Sequence, residues 1–156
     1  MTGWAQDSSF LSANLGVLIA LEKIDLLQIL CKIYKEIILP EAVVREFGNI
    51  NLRCYSSMKV ESRLVNLLTS DLNLGRGESE VIALAYETKQ KVLIDDLKAR
   101  KVAEDLGLSI SGSIGVLLKA EKLGIIDSAL KKTQELKEKG FYVSNELLSE
   151  IAKRKF

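Results

Sequence analysis

Short apolar runs alternate with longer amphipathic stretches along this chain. Phe10-Leu11-Ser12-Ala13, Ile37-Ile38-Leu39, Val92-Leu93-Ile94 and Leu108-Ser109-Ile110 are brief and mostly apolar, which predicts buried strands rather than helices. Residues 17–30 place Val17, Leu18, Leu21, Ile24, Leu27 and Leu30 near a 3.6-residue period, predicting a helix broken near Asp25. Pro40 suits the first helical position of a helix over 40–47, where no N–H is needed, and Gly48 closes it. Residues 50–58 carry no clear period. Val60, Leu64, Leu67 and Leu68 share one side of a helix over 60–68, and Leu74–Gly77 reads as a turn. Helices follow over 78–88, from Asp95-Asp96 to Leu106 with Gly107 as its stop, over 113–123, over 127–139, and from a Ser144 or Asn145 cap to Lys155.

Strands alternating with amphipathic helices predict an α/β fold, a three-layer α/β/α sandwich around a parallel sheet. In such sheets ligands bind beyond the carboxyl ends of the strands. Pro40 is the single proline and no Gly/Ser-rich linker interrupts the 156 residues. They read as a single domain, 1–156, with residues 1–9 a loose polar lead-in.

Composition matters chiefly through one absence. The chain has no histidine, which excludes Ser-His-Asp or Cys-His nucleophiles, imidazole general bases and His-ligated zinc. Cys31 and Cys54 form no CxxC pattern and read as buried or free thiols of a reducing cytoplasm. No apolar run reaches the roughly 18–20 residues of a membrane span. The first ten residues lack a basic stretch followed by an apolar one, so a cytoplasmic, non-membrane protein is expected. The net charge of +1 predicts no basic coat, but the charge is unevenly spread. Residues 71–96 hold three basic and six acidic side chains, whereas residues 131–155 hold seven basic and four acidic.

The expected strand exits carry polar groups. Asn14 follows the first, Asp95-Asp96 the third and Ser111-Gly112-Ser113 the fourth; the helix after the second ends near Glu46, and the helix before the third begins with Glu78 and Glu80. Carboxylates sharing a pocket raise one another's pKa unless a cation neutralises them. Oxygen donors without His or Cys suit Mg²⁺ or Mn²⁺, ions that can activate water for phosphoryl transfer. The same acids at helix starts also suit capping. Glu78 and Glu80 stand about 200° apart on a helix, so one of the two faces a common pocket. Gly75-x-Gly77 is no phosphate loop, because no GK[ST] follows it.

Five segments in order carry a family resemblance: Leu18–Ile24, Ile38-Leu39-Pro40-Glu41-Ala42-Val43, Gly77-Glu78-Ser79-Glu80 through Ala85, Ile94-Asp95-Asp96-Leu97-Lys98-Ala99-Arg100 and Ser111-Gly112-Ser113 through Leu117. Over roughly residues 10–150 the chain resembles the PIN-domain superfamily, in its small prokaryotic branch related to VapC-type toxin ribonucleases. The resemblance implies a parallel sheet of 4–5 strands in the order 3-2-1-4-5. It further implies Mg²⁺- or Mn²⁺-dependent cleavage of single-stranded RNA, an antitoxin protein as partner, and a homodimer. Residue by residue it implies Glu46, then Glu80 with Glu78 as rival, then Asp96 with Asp95 as rival, as metal ligands. Ser113 stands where a hydroxyl completes the site, and Lys98, Arg100 and Ser113 are the RNA-binding candidates. The chain departs from the pattern at the first strand exit, where Asn14-Leu15-Gly16-Val17 replaces an acid, a threonine and a proline. Asn14 offers a carbonyl oxygen but no charge, which weakens cation binding. Two readings follow: a metal-dependent endoribonuclease working through Glu46, Glu80, Asp96 and Asn14, or a degenerate, non-catalytic PIN domain serving as an RNA- or protein-binding dimeric module.

Overall fold

The computed structural model describes residues 10–153; the lead-in at 1–9 and the last residues of the final predicted helix lie outside them. Among the described residues, five parallel strands form one sheet. They are β1 (Phe10–Ala13), β2 (Glu36–Pro40), β3 (Tyr55–Met58), β4 (Lys91–Leu93) and β5 (Ile110–Ser111), in the order β3-β2-β1-β4-β5. Register is fixed on both sides of the central strand: Leu11 pairs with Ile37 of β2 and Lys91 of β4. The helices α1 (Leu15–Lys23), α2 (Ile29–Ile33), α3 (Glu41–Phe47), α4 (Arg63–Ser70), α5 (Arg76–Thr88), α6 (Leu97–Asp105), α7 (Ser113–Lys122), α8 (Ala129–Glu138) and α9 (Asn145–Lys153) flank it. The expected α/β/α sandwich and strand order are both present.

The interior is aliphatic. Leu11, Ile37, Leu39, Val92, Leu93 and Ile94 from the central strands are fully buried against Leu18, Leu21, Ile82 and Leu117 from the helices. A strand covered on both faces reads as a continuous apolar run, which is why β2 and β4 are legible in the sequence.

The break expected near Asp25 in the helix over 17–30 is present, with Asp25 at a left-handed φ of 57° between α1 and α2. Local differences from the sequence reading have identifiable causes. Pro40 ends β2 as an extended N-cap residue, with ψ of 148°, rather than starting the helix. The period-free segment 50–58 contains the edge strand β3, whose Ser56, Ser57 and Met58 are exposed. Helix α4 begins later than expected, capped by Ser62, which accepts from Leu64 N–H at 3.1 Å. Helix α5 begins at Arg76, inside the expected turn.

The cysteine expectation is overturned. Cys31 on α2 and Cys54 before β3 are joined in a disulfide, with Cα atoms 5.6 Å apart. Pairing of β2 with β3 brings the two segments within bridging range, across a separation of 23 residues that no local pattern reveals. Among the described residues no helix is long and apolar enough to cross a membrane.

Candidate functional site

The carboxyl ends of β1, β4 and β5 are laced together by main-chain bonds. Asn14 N–H donates to the Leu93 carbonyl at 2.9 Å, and Ile94 N–H donates to the Ser111 carbonyl at 2.9 Å. Asn14 is therefore held at the sheet's carboxyl edge as the N-cap residue of α1. It is 8% exposed, and its side chain makes no capping bond.

Asp95 and Asp96 leave β4 with different partners. Both Asp95 oxygens engage the start of α7: Ser113 N–H donates to Oδ1 at 2.8 Å and the Ser113 hydroxyl donates to Oδ2 at 2.5 Å. A carboxylate there satisfies orphan donors of the first helical turn. Gly112 is required by this arrangement, since a Cβ would collide with Asp95 Oδ1 and the Arg100 guanidinium. At Gly115 a Cβ would meet the Ser111 hydroxyl, which would have to turn away. Arg100 Nη1 donates to the Ile94 carbonyl at 2.8 Å and so braces the strand exit. Asp96 instead caps α6, accepting from Ala99 N–H at 2.9 Å.

Asp96 also acts across the gap to α5. Burial raises the Glu78 pKa, and the nearby Asp96 charge raises it further, partly offset by the Gly75 N–H and by Lys98. Gly75 N–H donates to Glu78 Oε1 at 3.4 Å, and Lys98 Nζ donates to the Asn73 carbonyl at 3.4 Å. Lys98 thus lies over the start of α5. Glu46, at the end of α3, leans onto the same helix start: its Oε1 is 3.2 Å from where a Cβ on Gly77 would stand. One turn further, Glu80 is buried and accepts from Arg76 Nε at 2.8 Å.

The start of α5 carries Glu78, with Glu46 leaning beside Gly77 and Lys98 reaching the Asn73 carbonyl, and carries Glu80 paired to Arg76. The structure separates Asp95 and Ser113 from them as a structural clasp between β4 and α7. Among the described residues, no three His, Cys, Asp or Glu side chains lie close enough together to hold a metal ion between them. The donor chemistry nevertheless suits a hard cation, because the acceptors around the start of α5 are carboxylate oxygens, with no His or Cys among them. Arg76 is a member that the sequence reading missed, although its i,i+4 spacing to Glu80 on a helix was a usable signal.

A cavity of about 740 Å³ opens beside Asp96, walled by Leu97, Ser113, Phe141, Tyr142 and Leu147. Comparison with known protein families matches residues 13–155 to a family described as PIN domain. No curated protein and no solved structure matches the chain.

Proposed function

The chain belongs to the PIN-domain family, and on that premise we propose that it is a Mg²⁺- or Mn²⁺-dependent endoribonuclease acting on single-stranded RNA. The observation that carries this reading is the family match over residues 13–155, with Asp96 at the exit of β4 and Glu46 beside the start of α5 supplying acids. Carboxylates that repel one another at a ligand-binding edge gain stability from a shared cation. Glu46, Glu78 or Glu80, and Asp96 are the proposed ligands, with the Asn14 carbonyl as an uncharged fourth. Asp96 is preferred to Asp95 because both Asp95 oxygens are already engaged by Ser113.

A divalent ion bound there would supply a Lewis acid and lower the pKa of attacking water. The chain's own residues do the positioning. Asp95 and Ser113 hold α7 against the strand exit, and Arg100 fixes the Ile94 carbonyl. Lys98, beside Glu78, is placed to meet a phosphate oxygen.

The reading extends to the setting. We take the 156 residues as a single PIN-like domain, the toxin of a toxin–antitoxin pair, working in the cytoplasm as a homodimer and restrained by an antitoxin protein. In a reducing cytoplasm the Cys31–Cys54 bond would be open to reduction, and none of the proposed site residues lies on α2 or β3, the elements that it staples.

A second reading is favoured by a specific pair of observations: Asn14 is uncharged, and no three acids stand close together. Under it the domain is degenerate and binds RNA or protein without cutting. Cleavage of single-stranded RNA in Mn²⁺, abolished by EDTA, supports the first reading; intact RNA together with no Mn²⁺ binding at millimolar concentration supports the second.

A further inference from the structure

Among the described residues, two large apolar side chains stand far further into solvent than the rest. Tyr142 is 91% exposed and Leu97 is 82% exposed, whereas the next among the described residues, Leu67, is 49% exposed. Both line the cavity beside Asp96. Isolated exposed apolar residues need no explanation, but two converging on one cavity mark a binding surface.

We propose that this cavity is a base-binding subsite, in which Tyr142 stacks on the base of the nucleotide next to the phosphate held at Asp96 and Leu97 supplies an apolar wall. The inference rests on the ribonuclease reading and deepens it. Asp96 is the link, since it lines the cavity and is one of the proposed ligands. A ligand seated in the cavity therefore lies beside an acid that would handle its phosphate. Charge favours a base as occupant. The lining carries Asp95 and Asp96 against the single cation Arg100, which gives an anion no net attraction, whereas a neutral aromatic ring meets mostly Leu97, Phe141, Tyr142, Val143 and Leu147. The cavity volume falls within the roughly 300–1,000 Å³ of small-ligand sites. Every base has a π face, so a single exposed aromatic can serve without reading sequence.

The test measures binding rather than cleavage, using a fluorescein-labelled single-stranded RNA and the full chain in Ca²⁺. Tyr142→Ala is expected to weaken binding about tenfold or more, and Tyr142→Phe, which keeps the ring, by about twofold or less. An abasic site walked along the RNA should, at one position, erase the difference between wild type and Tyr142→Ala. Mn²⁺ affinity should be the same in all three proteins. Unchanged RNA affinity in Tyr142→Ala, or no abasic position that erases the difference, overturns the proposal and returns the cavity to a protein segment as occupant. RNA that binds through Tyr142 but is never cut keeps the subsite and removes the nuclease reading. RNA that is cut with unchanged KM by Tyr142→Ala removes the subsite and keeps the nuclease.

Discussion

Arg76 Nε donates to Glu80 Oε2 at 2.8 Å across one turn of α5, joining an arginine side chain that is 64% exposed to a glutamate side chain that is 6% exposed. The guanidinium supplies the positive charge that a buried carboxylate requires. If Glu80 is a ligand of the proposed cation, arginine and metal compete for its oxygens.

Arg76→Ala should therefore raise Mn²⁺ affinity by about tenfold, the direction expected when a charged ligand is released. Without metal the same variant should lose about 1 kcal/mol of stability, the modest figure reflecting the exposure of the arginine, and Mn²⁺ should restore it. Titration calorimetry and thermal melts with and without Mn²⁺ measure both. Equal Mn²⁺ affinity in the two proteins contradicts the competition.

Asn14 sits buried at the β1 exit with no side-chain cap. Asn14→Asp adds one charge to the ligand set, and Mn²⁺ affinity should rise about tenfold or more. Metal-free stability should fall, because another carboxylate joins the repulsion between Glu78 and Asp96. A variant with no gain in Mn²⁺ affinity would show that the first strand exit does not contribute to the cation site.

The raised Glu78 pKa gives a pH dependence with a definite sign. Above the ordinary value of 4.5 and below its raised value, Glu78 holds more proton in the folded state than in the unfolded one. Stability of the metal-free protein therefore falls as pH rises through that window. Glu78→Gln should flatten this slope and be the more stable protein at pH 7. Urea melts in EDTA at a series of pH values from about 4.5 to 7 check it. A wild-type slope of opposite sign, or one that persists in Glu78→Gln, contradicts the assignment.

The Cys31–Cys54 bond closes a loop of 23 residues in sequence separation. Chain entropy assigns such a loop about 3 kcal/mol. Cys31→Ser should be less stable than wild type by about that amount under oxidising conditions, and the difference should vanish in reductant. RNA binding should be unchanged, since the staple holds α2 and the approach to β3 rather than the acids.

The legible parts of the fold are those where burial leaves a pattern. Ile37 and Leu39 in β2 and Val92 and Leu93 in β4 are fully buried, and their apolar runs identify the strands. Strand β3 carries Ser56 and Ser57 at an exposed sheet edge, so its identity comes from pairing with Ile38 and Leu39 rather than from its own composition. The disulfide depends on that same pairing, which explains why spacing alone did not reveal it. At the site, Asn14, Asp95, Asp96 and Ser113 are legible because strand exits are. The division of labour between Asp95 and Asp96 is not, because Asp95 is claimed by Ser113, a residue 18 positions away. Tyr142 lies on the turn between α8 and α9, and its neighbourhood to Asp96 exists only in three dimensions.

The central claim is that these acids hold a divalent cation for RNA cleavage. Its most direct test is the rate at which purified protein cuts a labelled single-stranded RNA as Mn²⁺ is raised, beside Glu46→Gln and Asp96→Asn. The account predicts cleavage that rises with Mn²⁺, stops in EDTA, and falls in each variant by about a hundredfold, as when one ligand of a catalytic ion is lost. Cleavage that survives EDTA, or that proceeds at wild-type rate in both variants, would contradict it.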